Sequence, residues 1–242
     1  MLHRSNLSIA TIKAYLSAIS HFNKRLNIVD FTKASPITLA IKGLESLRKP
    51  VFKRLPITFE LLSKILTALR HINLSPYEVA LYQAMFIMMY FCGLRASEVG
   101  LSASPEHALL TSNVIRVPDG YQITLHSYKF SKQPSTFLLR PRPHLDPVKI
   151  LSSYASVRPA SAEFFFCGPD TSLINRSKIA RVLKNALISI NVDPRYYNTH
   201  SFRIGFATDM LNNNVSTSLI RVRGRWCSDT FMDYFRPPYV CV

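Results

Sequence analysis

From Val79 to Leu94 the chain runs for about 16 residues with almost no polar interruption, Gln83 being the break. A membrane span needs about 20 such residues, so this run is too short to be one. A helix that is apolar all round has no face to give to water and is read as a buried helix. Ser75-Pro76 starts it, and it should extend to about Cys92. A domain built around such a helix needs other elements to wrap it. Thr58 is a plausible N-cap for one of them, over residues 59–71.

Upstream, Ile12, Tyr15, Leu16, Ile19 and Phe22 recur at i, i+3, i+4, i+7 spacing, which predicts an amphipathic helix over 8–26 with these residues on one face. Residues 36–48 support a second helix with Leu39, Leu44 and Leu47 as its stripe. Arg48 to Pro56 then packs two prolines and four cations into nine residues, which suits an extended, charged connection. The expected division is a partial helical domain at 1–48, a linker at 49–57 and a larger domain at 58–242. The first piece is small for an independent core and reads as the remnant of a larger helical domain.

The pattern changes at 112–140. Val114–Val117, Tyr121–Leu125 and Thr136–Leu139 are short β-type runs separated by Asp119-Gly120 and by Lys132-Gln-Pro-Ser. They predict a small antiparallel sheet. Helical patterns return at 146–157, 175–190, 199–212 and 215–223, with a last short helix near 228–236. The fold class is therefore mainly α with a three-stranded antiparallel sheet. There is no internal repeat and no low-complexity tract.

Charge narrows the partner. Lys+Arg number 30 and Asp+Glu 14, a formal balance of +16. Residues 1–121 carry 14 basic and 7 acidic side chains and residues 122–242 carry 16 and 7, so both halves are basic. A polyanion, most simply nucleic acid, accounts for this better than a small neutral ligand. With 48% hydrophobic residues the chain is too apolar to be disordered. Cys92, Cys167, Cys227 and Cys241 form no CxxC pair and no metal-finger spacing, and read as reduced, buried thiols. No apolar signal core follows Met1, so a soluble, intracellular protein without export signal or membrane span is expected.

Four segments can carry chemistry. Gly93-Leu-Arg95-Ala-Ser-Glu98 follows the apolar helix, where an arginine needs an anionic partner; Glu98 supplies one as an ion pair, and a bound anion would supply another. Tyr128-Lys129-Phe-Ser-Lys132-Gln-Pro134 lies at a turn between strands, where lysine is ordinarily only solvated. In Asn198-Thr-His200-Ser-Phe-Arg203-Ile-Gly205, His200 and Arg203 stand i, i+3 at a helix N-terminus, a place that favours anions. Gly224-Arg225-Trp226-Cys-Ser228-Asp-Thr-Phe-Met-Asp-Tyr234-Phe-Arg236 holds the only tryptophan. Trp226 is open to a packing role or to use of its indole N–H, a donor that cannot accept. Ser228 can cap the last helix, with Tyr234 on its second turn.

Taken in order, these segments resemble the tyrosine recombinase (phage-integrase-like) superfamily, and in particular the recombinases of eukaryotic Crypton- and DIRS-type mobile elements, where HSFRIG and GRW-S-D-x-F-x-x-Y-x-R endings are typical. The resemblance covers roughly residues 8–237. It implies a tyrosine-recombinase catalytic domain preceded by a shortened helical core-binding, DNA-clamping domain. It also implies a catalytic set of Arg95, Lys132 (with Lys129 as the alternative), His200, Arg203, Trp226 and the nucleophile Tyr234, with Glu98 orienting the site. The implied partners are double-stranded DNA and further copies of the chain, from dimer to tetramer, and the implied location is nuclear. Two departures from the family are expected: few helices before residue 8, and a C-terminus eight residues after Tyr234, with Pro237-Pro238 blocking a further helix.

The implied reaction is transesterification. The Tyr234 oxygen attacks phosphorus, a 3′-phosphotyrosyl link forms and a 5′-hydroxyl leaves. Ionising a tyrosine of pKa ~10 at pH 7 costs roughly 4 kcal/mol, a cost that a cationic pocket reduces. His200 can accept the proton. Arg95 and Arg203 suit the charge that gathers on the non-bridging oxygens, because guanidinium forks bind phosphate bidentately. Trp226 adds a donor, and Lys132 is the general acid for the leaving oxygen. No carboxylate cluster suited to two-metal chemistry appears in these motifs, so neither metal nor cofactor is expected. Two other readings stay open: a catalytically silent, domesticated DNA-binding protein, and a type IB topoisomerase with the same chemistry.

Overall fold

Ser8 opens the first helix by accepting a hydrogen bond from the Thr11 N–H at 3.1 Å, and α1 spans Ile9–Arg25. The computed structural model describes residues 7–46, 54–101, 105–126, 134–227 and 232. By packing, the chain divides into two units, Met1–Phe52 and Lys53–Val242.

In the first unit Asp30 reverses the chain. Its carboxylate accepts from the Thr32 N–H at 3.1 Å and from the Ser20 hydroxyl at 2.5 Å. A tight turn at Phe31–Lys33 leads into α2, Ser35–Ser46. Lys13 Nζ on α1 pairs with Glu45 on α2 at 2.5 Å. The predicted helices form, but the predicted apolar face is not buried. Ile12 is 4% exposed, whereas Tyr15, Ile19 and Phe22 are 49%, 47% and 59% exposed. Two helices joined by a short turn have too little surface to cover both stripes.

The second unit begins with a strap rather than a free connection. The Leu55 N–H bonds to the Tyr196 carbonyl at 2.9 Å and the Ile57 N–H to the Ser201 carbonyl at 3.0 Å, and Ile57 is fully buried. Residues 55–57, read from sequence as part of an extended linker, are thus held against the larger unit; linker residues 49–53 lie outside the described residues. Thr58 caps α3, Phe59–Ala68, which ends three residues short of the expected 71 in tight turns at Arg70 and His71. Ser75 and Glu78 form a reciprocal cap that starts α4, Pro76–Phe91. Tyr82, Phe86, Met88 and Tyr90 on α4 are all buried, as the apolar run requires. The four-residue helix α5, Ala96–Val99, was not anticipated.

The sheet has the order β1-β2-β3 and is antiparallel throughout: β1 is Val114–Val117, β2 Gly120–Leu125 and β3 Ser135–Leu139. Val117 faces Gly120 across the first turn, and Leu125 faces Ser135 at the far end. Gly120 has φ 144°, and a Cβ there would stand 1.9 Å from the Leu139 carbonyl oxygen, so this turn admits only glycine. Then come α6 (Pro147–Val157), α7 (Arg176–Ser189), α8 (Ser201–Asn212) and α9 (Thr217–Gly224). The expected helix at 228–236, with its cap Ser228, lies outside the described residues.

Packing follows from α4. It lies against α6 and α8, while α3 packs on α7 and α9 on α8. One apolar core runs from Leu62 through α4 to Ile123, Leu151, Leu183 and Phe202. A smaller one joins Phe206, Met210 and Ile220, with Trp226 at its edge. Cys92 and Cys167 are buried thiols as expected, but Cys227 is exposed because it follows the last turn beyond that small core; Cys241 lies outside the described residues. Among the described residues no helix is long and apolar enough to cross a membrane.

Candidate active site

Where α4 ends, Cys92 closes the helix and Gly93 turns into the left-handed region at φ 55°. A Cβ on Gly93 would press on the Phe206 ring at 3.0 Å. This turn aims the Gly93 carbonyl inward, where it accepts from Arg203 Nη1 and from Arg225 Nη2, the latter at 3.0 Å. Two residues further on, Arg95 caps α5. Its N–H donates to Glu98 Oε2 at 2.8 Å and its Nη1 to Glu98 Oε1 at 2.9 Å. The ion pair weighed from sequence therefore forms. A fifth of the Arg95 side chain nevertheless stays open to solvent, against 1% for Glu98.

Glu98 has a second cationic partner. Arg225 Nη2 donates to Glu98 Oε2 at 2.9 Å, and both side chains are 1% exposed. Burying a carboxylate at this depth is tolerable only because it is paired and hydrogen-bonded. The Arg225 guanidinium also lies 4.9 Å from the centre of the Phe137 ring on β3.

Arg203 projects from the first turn of α8 into the interior and is 1% exposed. Nη2 donates to the Gly224 carbonyl at 2.7 Å, and the guanidinium sits 4.7 Å from the centre of the Trp226 ring. Both terminal nitrogens thus hold backbone carbonyls, at Gly93 and Gly224. The helix comes this close to the strap because Gly205 has no side chain; a Cβ there would lie 2.0 Å from the Ile57 carbonyl oxygen. Trp226 folds back over Gly224, whose missing Cβ would fall 1.5 Å from the indole ring, and tilts against Phe206 at 6.4 Å between ring centres.

His200 caps α8 at the rim, its N–H held by Asn198 Oδ1 at 2.8 Å. The residue is exposed by area. Even so, protein around the ring desolvates its charged form, and the charges of Arg203, Arg95 and Arg176 add to the effect. The pKa falls to about 4 from the ordinary 6.5. At neutral pH this is an uncharged imidazole, and the arginine charges that help to keep it so oppose its protonation until an anion lies beside them.

The fold therefore gathers Arg95, Glu98, Arg203 and Trp226 about the end of α4, with His200 at the N-terminus of α8. Lys132, its alternative Lys129, and Tyr234 lie outside the described residues. The sequence reading assigned nothing to Arg225 or Gly93. A glycine ending a long apolar helix was the available signal for the second; nothing in the pattern around Arg225 marks it as buried. Two guanidiniums paired to Glu98, and a third held on the Gly93 and Gly224 carbonyls, leave a net positive centre suited to an anionic oxygen. Among the described residues no group of three or more His, Cys, Asp or Glu stands in a metal-binding arrangement.

Residues 57–236 match the Phage integrase family. In fold the chain is similar to a lambda integrase dimer bound to a COC′ core site, at 13% identity and TM-score 0.61, over 94% of this chain and 59% of that one. It is also similar to the Tn1549 transposon integrase in complex with circular intermediate DNA, at 15% identity and TM-score 0.61, over 99% and 78%. A third similar structure is the XerH site-specific recombinase in a post-cleavage complex with palindromic difH, at 16% identity and TM-score 0.59, over 75% of this chain. The chain spans only about half of that XerH chain, 49% of its length. No curated protein matches the sequence.

Proposed function

We propose that this chain, which belongs to the phage integrase family, is a site-specific DNA recombinase that cuts and rejoins DNA through a 3′-phosphotyrosyl intermediate. The observation that carries the reading is the junction at the end of α4, where Arg95 and Arg203 are anchored around Glu98 and the Gly93 carbonyl beside Trp226. Arg95, partly open to solvent, meets a non-bridging oxygen of the scissile phosphate. Arg203 supplies charge from the floor of the site and reaches the phosphate when one of its two carbonyl partners gives way. The neutral His200 accepts the Tyr234 proton as the phenol oxygen attacks phosphorus. The 5′-oxygen leaves with a proton from Lys132, or from Lys129 in its place. The phosphotyrosyl bond keeps the energy of the broken phosphodiester, so the reverse attack by a 5′-hydroxyl reseals the strand.

The partner we assign is double-stranded DNA, bound by copies of the chain that pair and then assemble as two dimers. The net +16 charge and the DNA complexes of the structures similar in fold support this. Residues 1–48 we assign to clamping the duplex and residues 58–242 to the chemistry. The HSFRIG and GRW segments support an origin in a eukaryotic mobile element of Crypton or DIRS type, and with it a nuclear location.

A two-stage experiment tests this. Sheared genomic DNA from the source is incubated with the protein, and fragments that survive a denaturing wash are sequenced. Two copies of the captured site are then placed on a supercoiled plasmid. The proposal expects excision or inversion between the sites. Relaxation without exchange would make the protein a type IB topoisomerase, and binding with no retained DNA would make it a silent binder.

A further inference from the structure

Arg225 occupies a position that its own backbone disfavours. It closes α9 in the left-handed conformation, φ 55° and ψ 48°, where helices ordinarily place glycine or asparagine. The glycine in this motif stands one residue earlier, at 224, because the Trp226 ring leaves no room for a Cβ there. A non-glycine residue in such a conformation is worth explaining by what its side chain does.

The side chain is buried and bridges four segments. Nη2 donates to the Gly93 carbonyl at 3.0 Å and to Glu98 Oε2 at 2.9 Å, and the guanidinium rests on Phe137 of β3. Each acceptor is shared with an arginine of the proposed centre. Gly93 also holds Arg203 Nη1, and Glu98 also holds the backbone and Nη1 of Arg95. One side chain therefore fixes the anchors of both arginines, and it does so from the residue immediately before Trp226.

We propose that Arg225 is a positioning residue for strand cleavage: it shares the Glu98 charge so that Arg95 stays turned to the phosphate, and it ties the Trp226 segment to the end of α4. The inference rests on the strand-transfer reading above. Without Arg225, Glu98 has Arg95 as its remaining charged partner of the two and draws that guanidinium inward, away from the scissile oxygen. A displacement of this kind slows the chemical step more than it weakens binding, because the rest of the DNA contacts are untouched.

The test uses the full chain and the captured DNA site. Arg225→Met keeps the stem and removes the charge; Arg225→Lys keeps the charge without the planar fork. Both keep the same left-handed backbone demand, so strain cancels between them. The expected result is adduct formation at saturating DNA slowed about 10²-fold or more in Arg225→Met and about tenfold in Arg225→Lys, with DNA Kd changed less than about threefold in either. A folded Arg225→Met protein that cleaves at the wild-type rate overturns the inference. If Arg225→Met does not fold, Arg225→Lys decides by the same criterion: slowed cleavage at unchanged Kd supports positioning, and wild-type cleavage overturns it. A wild-type protein that forms no adduct overturns the strand-transfer reading itself, and this inference with it.

Discussion

Phe22 on α1 and Phe86 on α4 both sit in helices whose apolar residues were legible in advance, yet Phe22 is 59% exposed and Phe86 fully buried. Around Phe22, the described residues of the first unit offer two helices and a turn, and Tyr15, Ile19, Leu26 and Leu39 share its exposure. Around Phe86, α6 and α8 pack on α4, and Tyr82 and Phe202 lie within ring-contact distance at 6.3 and 4.9 Å. Periodicity defines an apolar face but not what covers it. Covering depends on how many other elements the unit can bring. The ionic contacts divide the same way: Lys13–Glu45 joins two half-exposed side chains, and Arg225–Glu98 joins two buried ones. The first kind contributes little, and breaking the second is costly.

Substitution at these two phenylalanines gives the sharpest contrast. Phe86→Ala removes a buried ring and should cost about 3–5 kcal/mol in urea unfolding. Phe22→Ala should change stability by less than about 0.5 kcal/mol, as exposed positions do. Similar losses at both would mean that the first unit has a core of its own, and the comparison would fail.

A smaller effect is expected at the rim of the larger unit. The His200 imidazole in free protein should titrate near 4 by NMR. An unfolded histidine titrates near 6.5, so between these values the unfolded chain binds the extra proton. This contribution to stability is complete above about pH 6.5, diminishes as pH falls through that window and is gone below about 4. Water around the exposed residue keeps it modest. A midpoint at 6.5 would mean that neither the protein around the ring nor the three arginines acts on His200.

Helix starts were legible where a polar cap preceded an apolar run, as at Thr58 and Ser75, and the first helix from its apolar spacing, because caps and periodicity are both local. The sheet was legible from its turn chemistry at Asp119-Gly120. Less local features were not. Four residues are too few for a periodic signal, so α5 went unseen although it carries Glu98. The strap at 55–57 reads as a charged linker, and only its backbone bonds to Tyr196 and Ser201 reveal otherwise. Arg95, Glu98, His200, Arg203 and Trp226 could be proposed as a set because their motifs follow the order of the family they resemble, and the fold brings Arg95, Glu98, Arg203 and Trp226 about the end of α4. That Arg203 faces inward to two carbonyls, and that Arg225 joins it there, depends on tertiary packing that spacing does not encode.

The most direct measurement is the covalent adduct itself. Wild-type protein and Tyr234→Phe are incubated with a DNA site nicked just downstream of the scissile phosphate, so that the short fragment bearing the freed 5′-hydroxyl diffuses away, and the denatured products are digested and mapped by mass spectrometry. The account predicts a single phosphotyrosyl peptide at Tyr234 in the wild type, and in Tyr234→Phe the same DNA affinity with no adduct. An adduct that persists in Tyr234→Phe, or one that maps to another residue, would contradict it.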